Sequence, residues 1–226
     1  MLPICRANVG TFGDRAMNRR LVLLSSLTAV SLPAAGPLSL LPARAGEPQS
    51  ANVRAAMRKL WEDHITYTRN YIISALAGLQ DTDEVAKRLL RNQDEIGDAV
   101  KPYYGDAAGK KLAALLKDHI KIATEVVEAA KSGSKDKLSA AQDKWSANAD
   151  DIAVFLGKAN PNWPEKDLRH MLHKHLELTT GEVVGRLNKD WAADIKSYDE
   201  GHDHMLKFAD MLTDGIAKQF PDKFNG

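Results

Sequence analysis

The sequence predicts an all-α protein, a six-helix bundle made of three repeated αα-hairpins of about 55 residues each. Three observations carry that prediction. Apolar residues recur at intervals of three and four through almost the whole chain after residue 53, and no stretch alternates with the period of two that a strand needs. The periodic stretches are cut by turn chemistry at Pro102-Tyr103-Tyr104-Gly105, Ser132-Gly133-Ser134 and Asn160-Pro161-Asn162-Trp163-Pro164. Finally, Leu60-Trp61-Glu62-Asp63-His64-Ile65, Leu115-Leu116-Lys117-Asp118-His119-Ile120 and Met171-Leu172-His173-Lys174-His175-Leu176 align without a gap, so their histidines stand 55 and 56 residues apart.

Residues 1–45 have the layout of a secretory signal peptide. Basic Met17-Asn18-Arg19-Arg20 is followed by an apolar stretch over 21–41, and Ala43-Arg44-Ala45 offers a small-x-small cleavage site before Gly46. Translation is expected to start at Met17. The paired arginines resemble a twin-arginine export signal, from which Asn18 and Val22 depart. An uncleaved membrane anchor is the alternative, and Pro33, Gly36, Pro37 and the cleavage site count against it. The expectation is an exported protein, periplasmic or secreted, with residues 46–226 forming one helical domain free of the membrane.

The six helices follow in order. The first, over 53–79, places Met57, Leu60, Trp61, Ile65, Ile72 and Leu76 on or near one face. The second, over 83–100, follows Asp81 and Thr82, residues of N-cap type, with Glu84 placed for a capping box. Pro102 is expected to end it. The third spans 106–131 and stops at Ser132-Gly133-Ser134. The fourth covers 135–158, and the fifth begins after Pro164 and runs to 187. The sixth covers 190–220 and meets Pro221. Taken in pairs they give hairpins over 53–104, 105–161 and 164–221.

Charge excludes some partners. The chain has 31 Lys and Arg against 30 Asp and Glu; five Arg and one Asp lie in the leader, which leaves 26 against 29. A net charge near −3 gives no footprint for nucleic acid or an anionic membrane. The single cysteine, Cys5, also falls in the leader, so the mature part has neither a disulfide nor a thiolate ligand. All seven histidines remain.

These histidines carry the functional reading. His64 continues the apolar stripe of Met57, Leu60 and Trp61; His119 continues Leu112, Leu115 and Leu116; His175 continues Leu168, Met171 and Leu172. On the even-numbered helices Asn92 lies between Leu89 and Ile96, Asn148 between Trp145 and Ile152, and His202 between Ile195 and Leu206. Each helix thus aims one polar side chain at the core. If the hairpins surround a common axis, the six make one polar layer; if they stack in a row, they make three separate pairs. A buried polar group left without a partner costs about 1–3 kcal/mol, so such a layer must be satisfied. A purely structural network that sets packing is one reading. A transition-metal site is the other, with His64, His119, His175 and His202 as ligands to zinc, copper, nickel or iron. Asn92, Asn148, Glu95 and Asp151 would line the same pocket, the two acids standing three residues after their asparagines. Asp63 and Asp118 precede their histidines and point about 100° away. His170, His173 and His204 lie off the repeated positions and are expected at the surface.

Enzyme signatures are missing. There is no Gly-rich phosphate loop, no G-x-S-x-G, no H-E-x-x-H and no nucleophilic cysteine in the mature part. The ferritin-like pair of Glu-x-x-His motifs is absent too. The runs 60–64, 115–120 and 145–150, with the ending Lys218-Gln219-Phe220-Pro221, make the chain resemble a family of small exported bacterial all-helical proteins. Some members of that family carry an automatic glycosyltransferase label that nothing in these residues supports. The resemblance implies an exported helical domain and supplies no functional residues. The sequence therefore points to a binding protein for a metal ion or small molecule, with a structural bundle and an unrecognised enzyme as the alternatives.

Overall fold

The computed structural model describes residues 49–224, and all the regular structure there is helical. The leader, with its cleavage site and export signal, lies outside the described residues. Five α-helices follow one another: α1 Gln49–Ala77, α2 Thr82–Ser132, α3 Lys135–Ala159, α4 Glu165–Leu187 and α5 Trp191–Gln219. A short 3-10 turn, Pro221–Lys223, closes the chain.

The sequence called for six helices, and the difference lies in α2. Helical hydrogen bonding continues past Pro102, and the break comes at Gly105, whose φ of 83° and ψ of 167° suit glycine alone. There α2 doubles back, so the expected second and third helices are its two arms. The arms meet backbone to backbone at Gly97 and Gly109, twelve residues apart in the chain. A Cβ on Gly97 would lie 2.6 Å from the Gly109 carbonyl oxygen, and one on Gly109 would lie 2.5 Å from that of Gly97. No larger residue fits at either place.

Capping differs from expectation at α2 as well. The Asp81 side chain makes no cap bond, and the Thr82 hydroxyl turns back to donate to the Leu79 carbonyl at 2.8 Å. Ser134 does cap α3, accepting from the Lys137 amide at 3.4 Å, and Asp190 caps α5, accepting from the Ala193 amide at 3.0 Å.

Each helix packs on the next, α1 on α2, α2 on α3, α3 on α4 and α4 on α5, and α5 packs back on α1. The ring is closed, which answers the choice between a common axis and a row. Its interior holds two apolar clusters. The larger includes Trp61, Ile96, Trp145, Leu168, Phe208 and Ile216. The smaller gathers Tyr71, Ile72, Leu89, Ile120, Val127 and Val183. At the end marked by Gly105 the Tyr104 hydroxyl donates to Gln219 Oε1 at 2.9 Å and accepts from Asn160 Nδ2 at 2.8 Å, among Trp163 and Phe220. The tyrosines and tryptophan beside the prolines thus form a polar-tipped aromatic plug at this end. Among the described residues no helix is long and apolar enough to cross a membrane.

Candidate functional site

The site lies where the two apolar clusters meet. His64 of α1, His119 of the second arm of α2 and His175 of α4 are 2%, 3% and 3% exposed. The ring centre of His175 is 5.6 Å from that of His64 and 5.9 Å from that of His119. Trp61 packs edge-on against His64 at 5.5 Å, and Trp145 leans on His119 at 5.2 Å. The three imidazoles share one cavity of about 20 Å³ with Thr68 and with Tyr71, Ile72, Leu89 and others of the smaller cluster. The lining residues that keep some exposure include Ala123, Thr124 and Thr180, so the cavity comes closest to solvent between the second arm of α2 and α4.

Burial fixes the charge of the layer. It drives the His64 pKa down to about 3, helped by the nearness of His119, and drives His119 down to about 4. His175 is held well below its ordinary value by burial and by His64 and His119 beside it. All three rings are neutral at neutral pH.

Their protons are placed by the neighbouring helix. Asn148 Nδ2 donates to the Leu115 carbonyl at 3.2 Å, which turns its oxygen toward His119. His119 Nδ1–H therefore donates to Asn148 Oδ1 at 2.8 Å, and its Nε2 carries a bare lone pair. In the first hairpin Asn92 Nδ2 makes the equivalent bond to the Leu60 carbonyl at 3.0 Å, but Gln93 intervenes. Gln93 Nε2 donates to the Leu89 carbonyl at 2.7 Å and to Asn92 Oδ1 at 3.1 Å, and stands 3.3 Å from His64 Nδ1. Both hydrogens of that amide are thereby spent on oxygen acceptors, and none remains for His64 Nδ1. His175 Nδ1 has the Thr179 hydroxyl at 3.5 Å. Among the described residues no protein hydrogen bond reaches Nε2 of any of the three. Thr68 Oγ1 and the Trp145 indole N–H, both of residues that line the cavity, are buried without a partner, as are Gln93 Oε1 and the Trp61 indole N–H.

The structure thus gathers His64, His119, His175, Asn92 and Asn148, and leaves three expected members outside. His202 is on the outer side of α5, 3.4 Å from Glu62 and 3.8 Å from Asp203. The histidine of α5 that bonds to a helix carbonyl, as Asn92 and Asn148 do, is His204, whose Nε2 donates to the Met171 carbonyl at 2.8 Å. Leu60, Leu115 and Met171 each stand four residues before a core histidine, and Asn92, Asn148 and His204 follow one another at intervals of 56 and 56. His202 is two residues off this register. Glu95 turns outward to Arg88 and Arg91 at 3.2 and 3.4 Å, and Asp151 is exposed. The reason is helical geometry, since three residues advance a helix by about 300°, enough to carry an acid from the buried face to its edge. Asp63 pairs with Lys59 and Arg88, His173 with Asp150, and neither enters the cavity. Among the described residues no group of three or more His, Cys, Asp or Glu is placed to hold a metal ion.

A second buried polar group went unseen in the sequence. Asp194, 1% exposed, is gripped by both nitrogens of Arg69, and Arg186 donates to it at 2.9 Å. Arg69 also donates to Glu182 Oε2 at 3.0 Å, and burial lifts the Glu182 carboxyl to about 7 against the pull of Arg69. Asp194 packs against Gly185, where a Cβ would come within 2.7 Å of the Asp194 amide nitrogen. A glycine inside a helix permits close approach of a neighbour, but Gly185 does not say that charge is buried beside it.

Comparison with family models, with curated proteins and with solved structures found no match.

Proposed function

We propose that this is a binding protein whose ligand is a single transition-metal ion seated among His64, His119 and His175. The observation that carries this reading is the meeting of three neutral imidazoles, from three helices far apart in the chain, around one cavity of about 20 Å³. That volume decides between the ligand classes. A water-sized occupant needs roughly 10–15 Å³, whereas organic ligands occupy pockets of about 300–1,000 Å³. One ion or one water fits; a metabolite does not. The rings are neutral, and Asn148 holds His119 by Nδ1 in the way that outer residues orient metal-bound histidines.

The three hydrogen bonds at Leu60, Leu115 and Met171 support reading the bundle as three copies of one hairpin, six helical rods in all. With the leader taken as an export signal, the protein works outside the cytoplasm, in the periplasm or as a secreted domain.

A structural polar layer is the second reading, and one observation favours it: no three potential ligands converge on a point among the described residues. Elemental analysis of the purified protein, with melting curves under copper, zinc, nickel and iron, separates the two. Metal binding raises the melting temperature, and the effect vanishes when His64, His119 and His175 are all replaced by Ala. No shift with any of the four metals, or an equal shift in that triple variant, ends the metal reading.

A further inference from the structure

Resting on the reading of the histidine cavity as the binding site, we infer that its entrance is the groove between α3 and α4, and that the Trp145 indole is the gate between the two.

Three features lead there. The first is a shared wall. Trp145 and Ser146 of α3, with His173, Leu176 and Thr180 of α4, line a surface groove of about 320 Å³. Trp145 and Thr180 also line the cavity of about 20 Å³ that holds His64, His119 and His175. Outer and inner spaces thus have two residues in common, one bulky and one small. The groove has room for an ion with its coordinating waters, whereas the cavity takes one stripped ion or one water.

The second is where the cavity is thin. Tyr71, Ile72, Leu89, Ile120, Val127 and Val183 close it on the side of the smaller cluster, and all six are buried. Ala123, Thr124 and Thr180 keep some exposure, and α3 packs on both helices that carry them. Trp145 is the large group that α3 brings to the cavity. It is 3% exposed, and its ring leans on His119 at 5.2 Å.

The third is how that ring is held. Trp163, equally buried, is pinned by its indole N–H, which donates to the Met211 carbonyl at 3.3 Å. The Trp145 indole N–H has no partner, so packing alone keeps the ring in place. A buried donor without an acceptor is unfavourable, and a ring turned out into the groove would give that N–H to water. Opening is therefore offset at the one atom that closure leaves unsatisfied. Trp61 supplies the contrast. Its N–H is unpartnered too, but it stands edge-on to both His64 and Phe208 beside an inner apolar void of about 10 Å³ and does not line the groove.

The test treats the metal-free protein with diethyl pyrocarbonate, which carbethoxylates neutral imidazole, and reads His119 by peptide mass spectrometry; stopped-flow mixing with Zn(II) runs beside it. Trp145→Phe is expected to speed modification of His119 by about ten-fold or more. Ser146→Phe, which fills the groove from a position outside the cavity lining, should slow it by about as much. Trp61→Phe should leave the rate within about three-fold of the parent. Zn(II) entry and exit should follow the same order while the dissociation constant stays within about three-fold, because a gate moves both rates together. In the unaltered sequence carrying 5-fluorotryptophan, the ¹⁹F line of Trp145 should be broadened by exchange and that of Trp163 should be sharp, so misfolding of a variant does not blunt the test. Equal effects of W145F and W61F, an S146F rate equal to the parent's, or a Trp145 line as sharp as that of Trp163 overturns the gate. If no metal binds while the modification rates keep the expected order, the entrance stands and the metal reading alone falls.

Discussion

The first and second hairpins put the same two residues in the same places and use them differently. In the second, Asn148 bridges the Leu115 carbonyl and His119, and every polar atom of the asparagine is engaged. In the first, Asn92 keeps the carbonyl bond to Leu60 but gives its oxygen to Gln93, and His64 loses an acceptor. One residue makes the difference, because the position after the asparagine is Gln93 in one hairpin and Ala149 in the other. Two like pairs of residues thereby make unlike surroundings for their histidines. The lesson is that a residue's position fixes where a polar group stands, whereas its neighbours fix which partner it meets.

The largest expected effect is on acid stability. The unfolded histidines take up protons near their ordinary value, while folded His64 and His119 resist until about 3 and about 4. The unfolded state therefore binds more protons in between, and stability falls as pH drops from about 6.5 toward 4, by roughly 1.4 kcal/mol per pH unit for each such histidine. Urea denaturation across that range measures the slope. A flat profile would mean that the three rings are not held neutral.

Next in size is the contrast between the asparagines. Asn148→Leu strands both the His119 Nδ1–H and the Leu115 carbonyl contact, and should cost about 2–3 kcal/mol. Asn92→Leu removes the Leu60 contact without unpairing His64, and should cost about 1 kcal/mol less. Equal losses in chemical denaturation would erase the distinction between the hairpins.

Replacing Gln93 by Ala sharpens the comparison at smaller energetic cost. Asn92 is then free to accept from His64, and the ring proton should lie on Nδ1, as in His119. Imidazole ¹⁵N chemical shifts report the tautomer directly; a His64 proton found on Nε2 in that variant would show that Asn92 does not accept it.

The smallest effect concerns the buried ionic group of α1, α4 and α5. Glu182 has its carboxyl raised to about 7, so folding favours its protonated form and that contribution is lost as pH rises from about 4.5 to 7. Glu182→Gln removes the term, and the variant should gain on the parent protein above pH 7 and lose that advantage below pH 5.

Much of this was legible in the sequence. Apolar periodicity gave the helical class, and polar residues standing in apolar stripes gave His64, His119, His175, Asn92 and Asn148, all buried. Other features were not. The apolar pattern put His202 inward and His204 outward, the reverse of the structure, and the constant interval of 56 residues from Asn92 to Asn148 to His204 was the signal that separates them. Gln93 carries no mark in the sequence, because its role depends on the cross-helix distance to His64. Arg69, Glu182 and Asp194 come from helices that meet only through long-range packing, and charged residues at helix edges give no sign that a third helix will cover them. Helix count failed at Pro102, where local chemistry predicted a stop and the chain turned only at Gly105.

The contact between Gly97 and Gly109 also bears on how the molecule comes apart. With the two arms of α2 meeting at main-chain distance, the first hairpin cannot loosen without disturbing the second, whereas α4 joins through the loop at Asn160–Pro164 and has no such seam. Cooperative opening should follow that division: amides of α1, α2 and α3 should exchange with deuterium as one unit, and those of α4 and α5 as another. His175 sits on the second unit while His64 and His119 sit on the first, so an occupant of the cavity would fasten the two together and slow the exchange of both.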